Sequence, residues 1–216
     1  MSSSDSEEEN SVESCVIKIV MLGTSGCGKT SIVQQYTKGT FTTKTGTTIG
    51  AAFAIQKLFI QDQIVSLRIW DTSGQERFRS LVPLYYRKVQ AAIFVFDITD
   101  KNSLNGLSFW YDQLKQELKT LPLLVVAANK IDLKENNQNY EELINTGKKY
   151  SKKIGAKFYI TSAKTAEGIK EIFEYISNTI VEMDKLKEDS EEFTKGGSRE
   201  IYDIIDDNNQ KNGNCC

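Results

Sequence analysis

Residues 23–30, Gly23-Thr24-Ser25-Gly26-Cys27-Gly28-Lys29-Thr30, decide how the chain is read. They fit the pattern G-x-x-x-x-G-K-[ST] and lie between an apolar run that begins at Cys15 and a helical stretch over Lys29–Lys38. Glycines lack a Cβ, so successive backbone N–H groups can turn inward around phosphate oxygens. Lys29 would bring a point charge to the β- and γ-phosphates, and the Thr30 hydroxyl is a ligand for Mg²⁺. An ordinary glycine-rich turn from strand to helix would look similar. The strand–loop–helix context favours the phosphate cradle, although this stretch alone does not choose a base.

Outward from the cradle, strand and helix patterns alternate. Ala51–Ile60 and Ile64–Trp70 read as a hairpin joined by Gln61-Asp62-Gln63. Ala91–Phe96, Leu123–Ala128 and Lys157–Ile160 are further apolar strands, with helical periodicity at 103–119, 140–153 and 167–183. Crossovers of this kind predict an α/β fold: a six-stranded, mostly parallel sheet with one antiparallel strand and helices on both faces. In such sheets ligands collect at the carboxyl ends of the strands. The folded domain is expected over 15–183. Residues 1–14, rich in serine and acid, read as a disordered extension, and 184–216 as a flexible tail.

Composition narrows the chemistry. The 216 residues carry a net charge of −2, which gives no basic footprint for nucleic acid. No apolar run is long enough to span a bilayer, and no secretory signal pattern opens the chain. There is no histidine, so Ser-His-Asp and Cys-His catalysis and His-ligated metals are excluded. The cysteines Cys15, Cys27, Cys215 and Cys216 are not spaced as a disulfide framework or a zinc site.

The base is read further along. Asn129-Lys130-Ile131-Asp132 follows the strand Leu123–Ala128. A carboxylate there can accept from guanine N1–H and its exocyclic amine. Adenine lacks that donor pair and would leave the charge unsatisfied, at a cost of about 1–3 kcal/mol. Thr161-Ser162-Ala163-Lys164 follows the next strand and can back the base. With these motifs in this order, residues 15–183 resemble the Ras superfamily of small GTPases, α/β proteins of the P-loop fold.

The resemblance implies a site for GTP or GDP formed by Gly23, Ser25, Gly26, Cys27, Gly28, Lys29, Thr30, Ser31, Phe41, Thr48, Gly74, Asn129, Lys130, Asp132, Ser162, Ala163 and Lys164. Phe41 matches the aromatic that packs on guanine. Mg²⁺ would be held by Thr30, Thr48 and, through water, Asp71. Catalysis would use Lys29, the Gly74 amide that senses the γ-phosphate, and Gln75, which orients the attacking water. Phosphoryl transfer needs positioning and charge neutralisation more than covalent help, which suits a chain without histidine. No arginine is assigned in cis, so intrinsic turnover should be slow. Ser73 stands where the family usually has alanine.

Ile49-Gly50-Ala51-Ala52-Phe53, Ser66-Leu67-Arg68-Ile69-Trp70, Arg77-Phe78-Arg79-Ser80-Leu81, Tyr85-Tyr86-Arg87 and Val95-Phe96-Asp97-Ile98-Thr99 are similar to Rab segments, the first to the early-endosomal subfamily. Phe53, Trp70 and Phe78 are expected to cluster beside the switches, and Lys88 replaces a usual glycine. Cys215-Cys216 resembles the Rab double-prenylation site. One lipid gives marginal anchoring and the tail is not polybasic, so two chains would be needed. The resemblance further implies a monomer with an exchange factor, a GTPase-activating protein, a GDP-dissociation inhibitor, a prenylation escort and effectors. A scaffold that binds nucleotide without hydrolysis and a P-loop kinase or ATPase are the rival readings, opposed by Gln75 and by Asn129 and Asp132 respectively.

Overall fold

The computed structural model describes residues 15–43 and 46–187, apart from the side chain of Asn136. The expected N-terminal extension, most of the expected tail and the Cys215–Cys216 pair lie outside the described residues. The chain divides into two units, residues 1–177 and 178–216. In the second unit, 178–187 are helical and Lys187 pairs with Asp184 at 2.9 Å.

The first unit is built on strands β1 (Cys15–Leu22), β2 (Ala51–Ile60), β3 (Gln63–Thr72), β4 (Ala91–Asp97), β5 (Leu123–Asn129) and β6 (Lys157–Ile160). They form one sheet in the order β2-β3-β1-β4-β5-β6. Only β2 and β3 pair antiparallel; the remaining neighbours are parallel. The helices are α1 (Lys29–Lys38), α2 (Lys101–Asn105), α3 (Leu107–Glu117) and α4 (Tyr140–Lys153), followed by helical residues 169–177.

Alternation along β1 shows why both faces of the sheet must be covered. Val20 and Leu22 point to one side, Ile19 and Met21 to the other, and all four are fully buried. On the first side they join Phe94, Phe96, Val126 and the α3 residues Leu107, Trp110 and Leu114 in one core cluster. Each such large side chain contributes about 1.5–3 kcal/mol when fully removed from water. Elsewhere Tyr36 of α1 stacks on Phe173, with centroids 3.8 Å apart and planes inclined by 13°.

Several elements differ from the sequence expectation. The hairpin turn contains only Gln61 and Asp62, at φ of 48° and 65°, because Gln63 already pairs with Ile60. Two successive positive φ values are those of a type I′ turn, whose twist matches that of the strands. β3 runs on to Thr72 and β5 to Asn129, so Asp71 and Asn129 lie within the last residues of strands rather than after them. The helix expected over 103–119 divides into α2 and α3 at Gly106, and Asp100 caps α2 by accepting from the Asn102 N–H at 2.9 Å. A 3₁₀ segment over Glu76–Tyr85 was not evident in the sequence; Pro83 lies inside it.

Lys88 sits at φ 56°, a left-handed conformation that crowds a Cβ, which accounts for a glycine being usual there. Lys88→Gly is therefore expected to raise unfolding stability by about 0.5–1 kcal/mol, the balance of relieved strain and added chain entropy. Urea denaturation measures it, and a loss of stability would contradict this account of the turn.

Candidate functional site

The turn between β1 and α1 is closed by short contacts to its own backbone. Lys29, 5% exposed, donates from Nζ to the carbonyls of Gly23 (2.8 Å) and Thr24 (2.9 Å), and lies 3.8 Å from Cys27 Sγ. A buried ammonium needs such acceptors, and these point it along the loop. Gly28, at φ 98°, precedes the first residue of α1, whose free N–H groups and dipole favour an anion. A Cβ on Gly28 would also collide with Asn129 Nδ2. Burial pushes the Cys27 thiol above its usual range despite the nearby Lys29 charge.

The Asn129 carboxamide explains that close approach. Nδ2 donates to Cys27 O at 2.9 Å, and Oδ1 accepts from Thr161 Oγ1 at 3.2 Å, both in buried surroundings. One side chain at the end of β5 thus ties the phosphate loop to the loop after β6. Beyond it Lys130 adopts φ 69° and its Nζ reaches Asp97 Oδ2 at 2.6 Å. Ser162 Oγ donates to Asp132 Oδ1 at 2.6 Å and accepts from the amides of Lys164 (3.2 Å) and Thr165 (3.1 Å). With both amides pointing at its oxygen, the serine hydroxyl hydrogen is directed at the carboxylate, and Asp132 is held in place.

At the other end, three oxygen-bearing side chains from separate segments meet. Thr30 Oγ1 donates to Asp71 Oδ2 at 2.6 Å and lies 2.9 Å from Thr48 Oγ1; Thr48 Oγ1 is 3.5 Å from the same carboxylate oxygen. Asp71 is 2% exposed, and desolvation raises its pKa from the usual carboxylate value. Its Oδ1 is buried without a hydrogen-bond partner. An oxygen-only donor set with an unsatisfied buried carboxylate oxygen suits a hard divalent cation such as Mg²⁺.

The Asp71–Gln75 segment rests on the cradle itself. A Cβ on Gly74 would strike the backbone of Thr24 and Ser25, so only glycine permits this approach. Ser73 is buried; its N–H donates to Gly50 O at 2.8 Å, and its Oγ accepts from the Gln75 N–H at 3.3 Å. Gln75 Oε1 accepts from Arg77 Nε at 2.7 Å.

A cleft of about 450 Å³ runs past both ends. Among the sequence-derived residues, Ser25, Gly26, Gly28, Lys29, Thr30, Ser31, Phe41, Thr48, Gly74, Asn129, Lys130, Asp132, Ala163 and Lys164 line it. Gly23, Cys27 and Ser162 stand behind that wall, and Gln75 lines a second cleft with Thr24, Ser25, Gly74 and Arg77. Sequence reading overlooked Thr161, Asp97 and Arg77 as supports. Asp97 had a signal: it is the one charge at the end of the apolar strand β4. The expected ring cluster is also corrected. Phe53 and Tyr85 each lie 4.9 Å from Trp70, whereas Phe78 lies under the Arg77 guanidinium at 4.9 Å.

A phosphate-binding loop facing an Asn-Lys-x-Asp loop across one cleft defines a P-loop nucleotide-binding protein. Comparison with known proteins makes this specific. Residues 18–182 match the model of the Ras family. The chain is 38% identical over 205 residues to Ras-related protein Rab-21 of Mus musculus, covering 92% of this chain and 90% of that protein. It is 39% identical over 206 residues to the Rab-21 protein of Homo sapiens, with 92% and 90% covered. GTP-binding protein YPT52 of Saccharomyces cerevisiae is 38% identical over 194 residues, with 78% and 83% covered. The chain belongs to the Ras family, and is a small GTPase of Rab-like sequence.

Asn129→Ala leaves the Cys27 carbonyl and the Thr161 hydroxyl buried without their shared partner. Unfolding stability should fall by about 1–3 kcal/mol, and bound nucleotide should leave faster. Urea denaturation and the release of a fluorescent GDP analogue read the two effects. Unchanged release would show that the clamp does not support the site.

Proposed function

We propose that the chain is a Rab-like GDP/GTP switch of vesicle traffic, working on the cytoplasmic face of endocytic membranes with a cytosolic pool and hydrolysing GTP slowly. One observation carries the reading: Lys29 and Asp132 stand along a single cleft, the first folded into the phosphate loop, the second fixed by Ser162. The distance between the two loops is bridged by Asn129, so triphosphate and base would be gripped by one connected piece of structure.

In this reading Asp132 accepts from guanine N1–H and N2–H, Phe41 covers the ring, and Ala163 and Lys164 back it. The loop amides and Lys29 hold the phosphates. Mg²⁺ held through Thr30, Thr48 and Asp71 would offset charge on the β- and γ-phosphate oxygens. Gln75 aligns the attacking water, and the Gly74 amide binds the γ-phosphate. Thr48 and Gly74 belong to segments that pack on the cradle from two sides, so loss of the γ-phosphate removes a contact common to both and lets them relax. An exchange factor, an activating protein, a GDP-dissociation inhibitor and effectors would then act on these segments.

No helix among the described residues is long and apolar enough to cross a membrane. Two prenyl groups on Cys215 and Cys216, delivered with a prenylation escort, would supply the attachment that one lipid cannot. The endocytic assignment is supported by the likeness of Ile49–Phe53 to the early-endosomal subfamily.

Two measurements test the reading. Asp132→Asn, which turns an acceptor into a group that also donates, should lower GTP affinity at least about tenfold and favour xanthosine triphosphate. A shift toward ATP instead would overturn the base assignment. Replacing Cys215 and Cys216 together by Ser should move the protein from the membrane to the soluble fraction of cells. Unaltered fractionation would refute attachment by lipids at these cysteines.

A further inference from the structure

The segment after Gln75 carries two arginines held in different ways. Arg79 also lines the cleft beside Thr24 and Ser25, but its guanidinium is held by α3 and by Glu76 rather than by Gln75. Its guanidinium carbon lies 4.4 Å from the Phe109 ring centre on α3, and Nη2 is 3.3 Å from Glu76 Oε1. Arg77 pairs with no carboxylate among the described residues. Its guanidinium covers Phe78 at 4.9 Å, and its Nε donates to Gln75 Oε1 at 2.7 Å. Gln75 is restrained a second time where its N–H donates to Ser73 Oγ at 3.3 Å. Arg77 and Gln75 share the open cleft that Thr24, Ser25 and Gly74 also line.

A glutamine that orients water must accept from the water through Oε1, because Nε2 only donates. A charged N–H at 2.7 Å is a stronger donor than water and fixes the direction in which the carboxamide points. We propose that Arg77 is a positioning residue that holds Gln75 in a resting orientation and so lowers the intrinsic rate of hydrolysis further than the lack of an arginine assigned in cis does by itself. Gln75 must leave Arg77 before its Oε1 can align the water, and a partner carboxylate placed on Arg77 would release it. Arg77 forms and breaks no covalent bond: water attacks the γ-phosphorus, the bond to the β-phosphate oxygen breaks, and GDP and phosphate result as without it. The inference rests on the reading of Gln75 as the residue that orients the water.

The test is single-turnover hydrolysis by the full chain loaded with GTP in Mg²⁺ buffer. Arg77→Ala should speed hydrolysis by about three- to tenfold, the range expected for removing one charge-assisted hydrogen bond at an exposed position. Release of a fluorescent GDP analogue should not change, which separates the chemical step from nucleotide binding. Arg77→Lys, still able to donate, should fall between the two. In a Gln75→Leu background, hydrolysis should be slow whether or not Arg77 is present. Arg77→Gln keeps most of the stem without the charge, and carries the same expectation if the alanine variant is unstable. An Arg77 variant no faster than the native chain, with Gln75→Leu slow, overturns the restraint. Native speed in Gln75→Leu alone instead overturns the role given to Gln75.

Discussion

The Asn129 carboxamide is the join on which the arrangement of the site depends. It donates to Cys27 O at 2.9 Å and accepts from the Thr161 hydroxyl at 3.2 Å, so loops from β1, β5 and β6 share one buried polar group. These strands are not all adjacent; β4 separates β1 from β5. Backbone pairing alone would therefore leave the loops at their ends free to drift apart. Carboxamides suit this role because donor and acceptor sit on one rigid plane, and a buried one left half satisfied would cost about 1–3 kcal/mol. The neighbouring Gly28 has no Cβ for the same reason: the amide occupies that space.

Charge placement follows from the same geometry. Lys29 is almost fully buried, yet its Nζ is surrounded by carbonyls of its own loop. Asp71 is buried too, but one of its oxygens has no partner, and desolvation raises its pKa. Cation and anion are therefore satisfied unequally. Beside the Asp71 carboxylate lies the oxygen pair of Thr30 and Thr48, which offers ligands without adding charge. A site built this way can stabilise a highly charged phosphate chain without a residue that titrates near neutrality, and the absence of histidine is no obstacle to phosphoryl transfer.

Much of this was legible in the sequence because the motifs are short and contiguous. Gly23–Thr30, Asn129–Asp132 and Thr161–Lys164 each place their residues at or just beyond the end of one strand, and local spacing suffices to read them. The parallel sheet was equally visible from apolar runs such as Ala91–Phe96. What escaped reading depends on approach between distant segments. Thr161 supports Asn129 across 32 positions, and Tyr85 rather than Phe78 meets Trp70 because the 3₁₀ segment turns the intervening side chains at a different pitch from an α-helix. Lys88 stands where a glycine is usual, and only the backbone, through its positive φ, shows why. No local pattern announces that Arg77 and Gln75 will share a hydrogen bond.

The contrast between the two ends of the cleft also bears on how a switch can respond to one phosphate without losing its specificity. The end proposed to read the base is assembled from strand termini and hydrogen bonds: Thr161 N–H to Ala128 O at 2.8 Å, Ile131 N–H to Thr161 O at 3.1 Å, and the part-buried Ser162–Asp132 bond. The end proposed to face the γ-phosphate is held by less. Thr48 Oγ1 lies 2.9 Å from Thr30 Oγ1 and 3.5 Å from Asp71 Oδ2, and its neighbour Ile49 is 78% exposed. A hydroxyl bond of that kind contributes about 0.5–1.5 kcal/mol net, so it biases the segment only weakly and a single additional phosphate contact can decide its position. Were Thr48 as firmly seated as Asp132, the loss of one phosphate could not move it, and were Asp132 as loosely held as Thr48, discrimination of the base would be shared with every fluctuation of the switch. Rigidity at one end and marginal stability at the other are therefore both requirements of the same function.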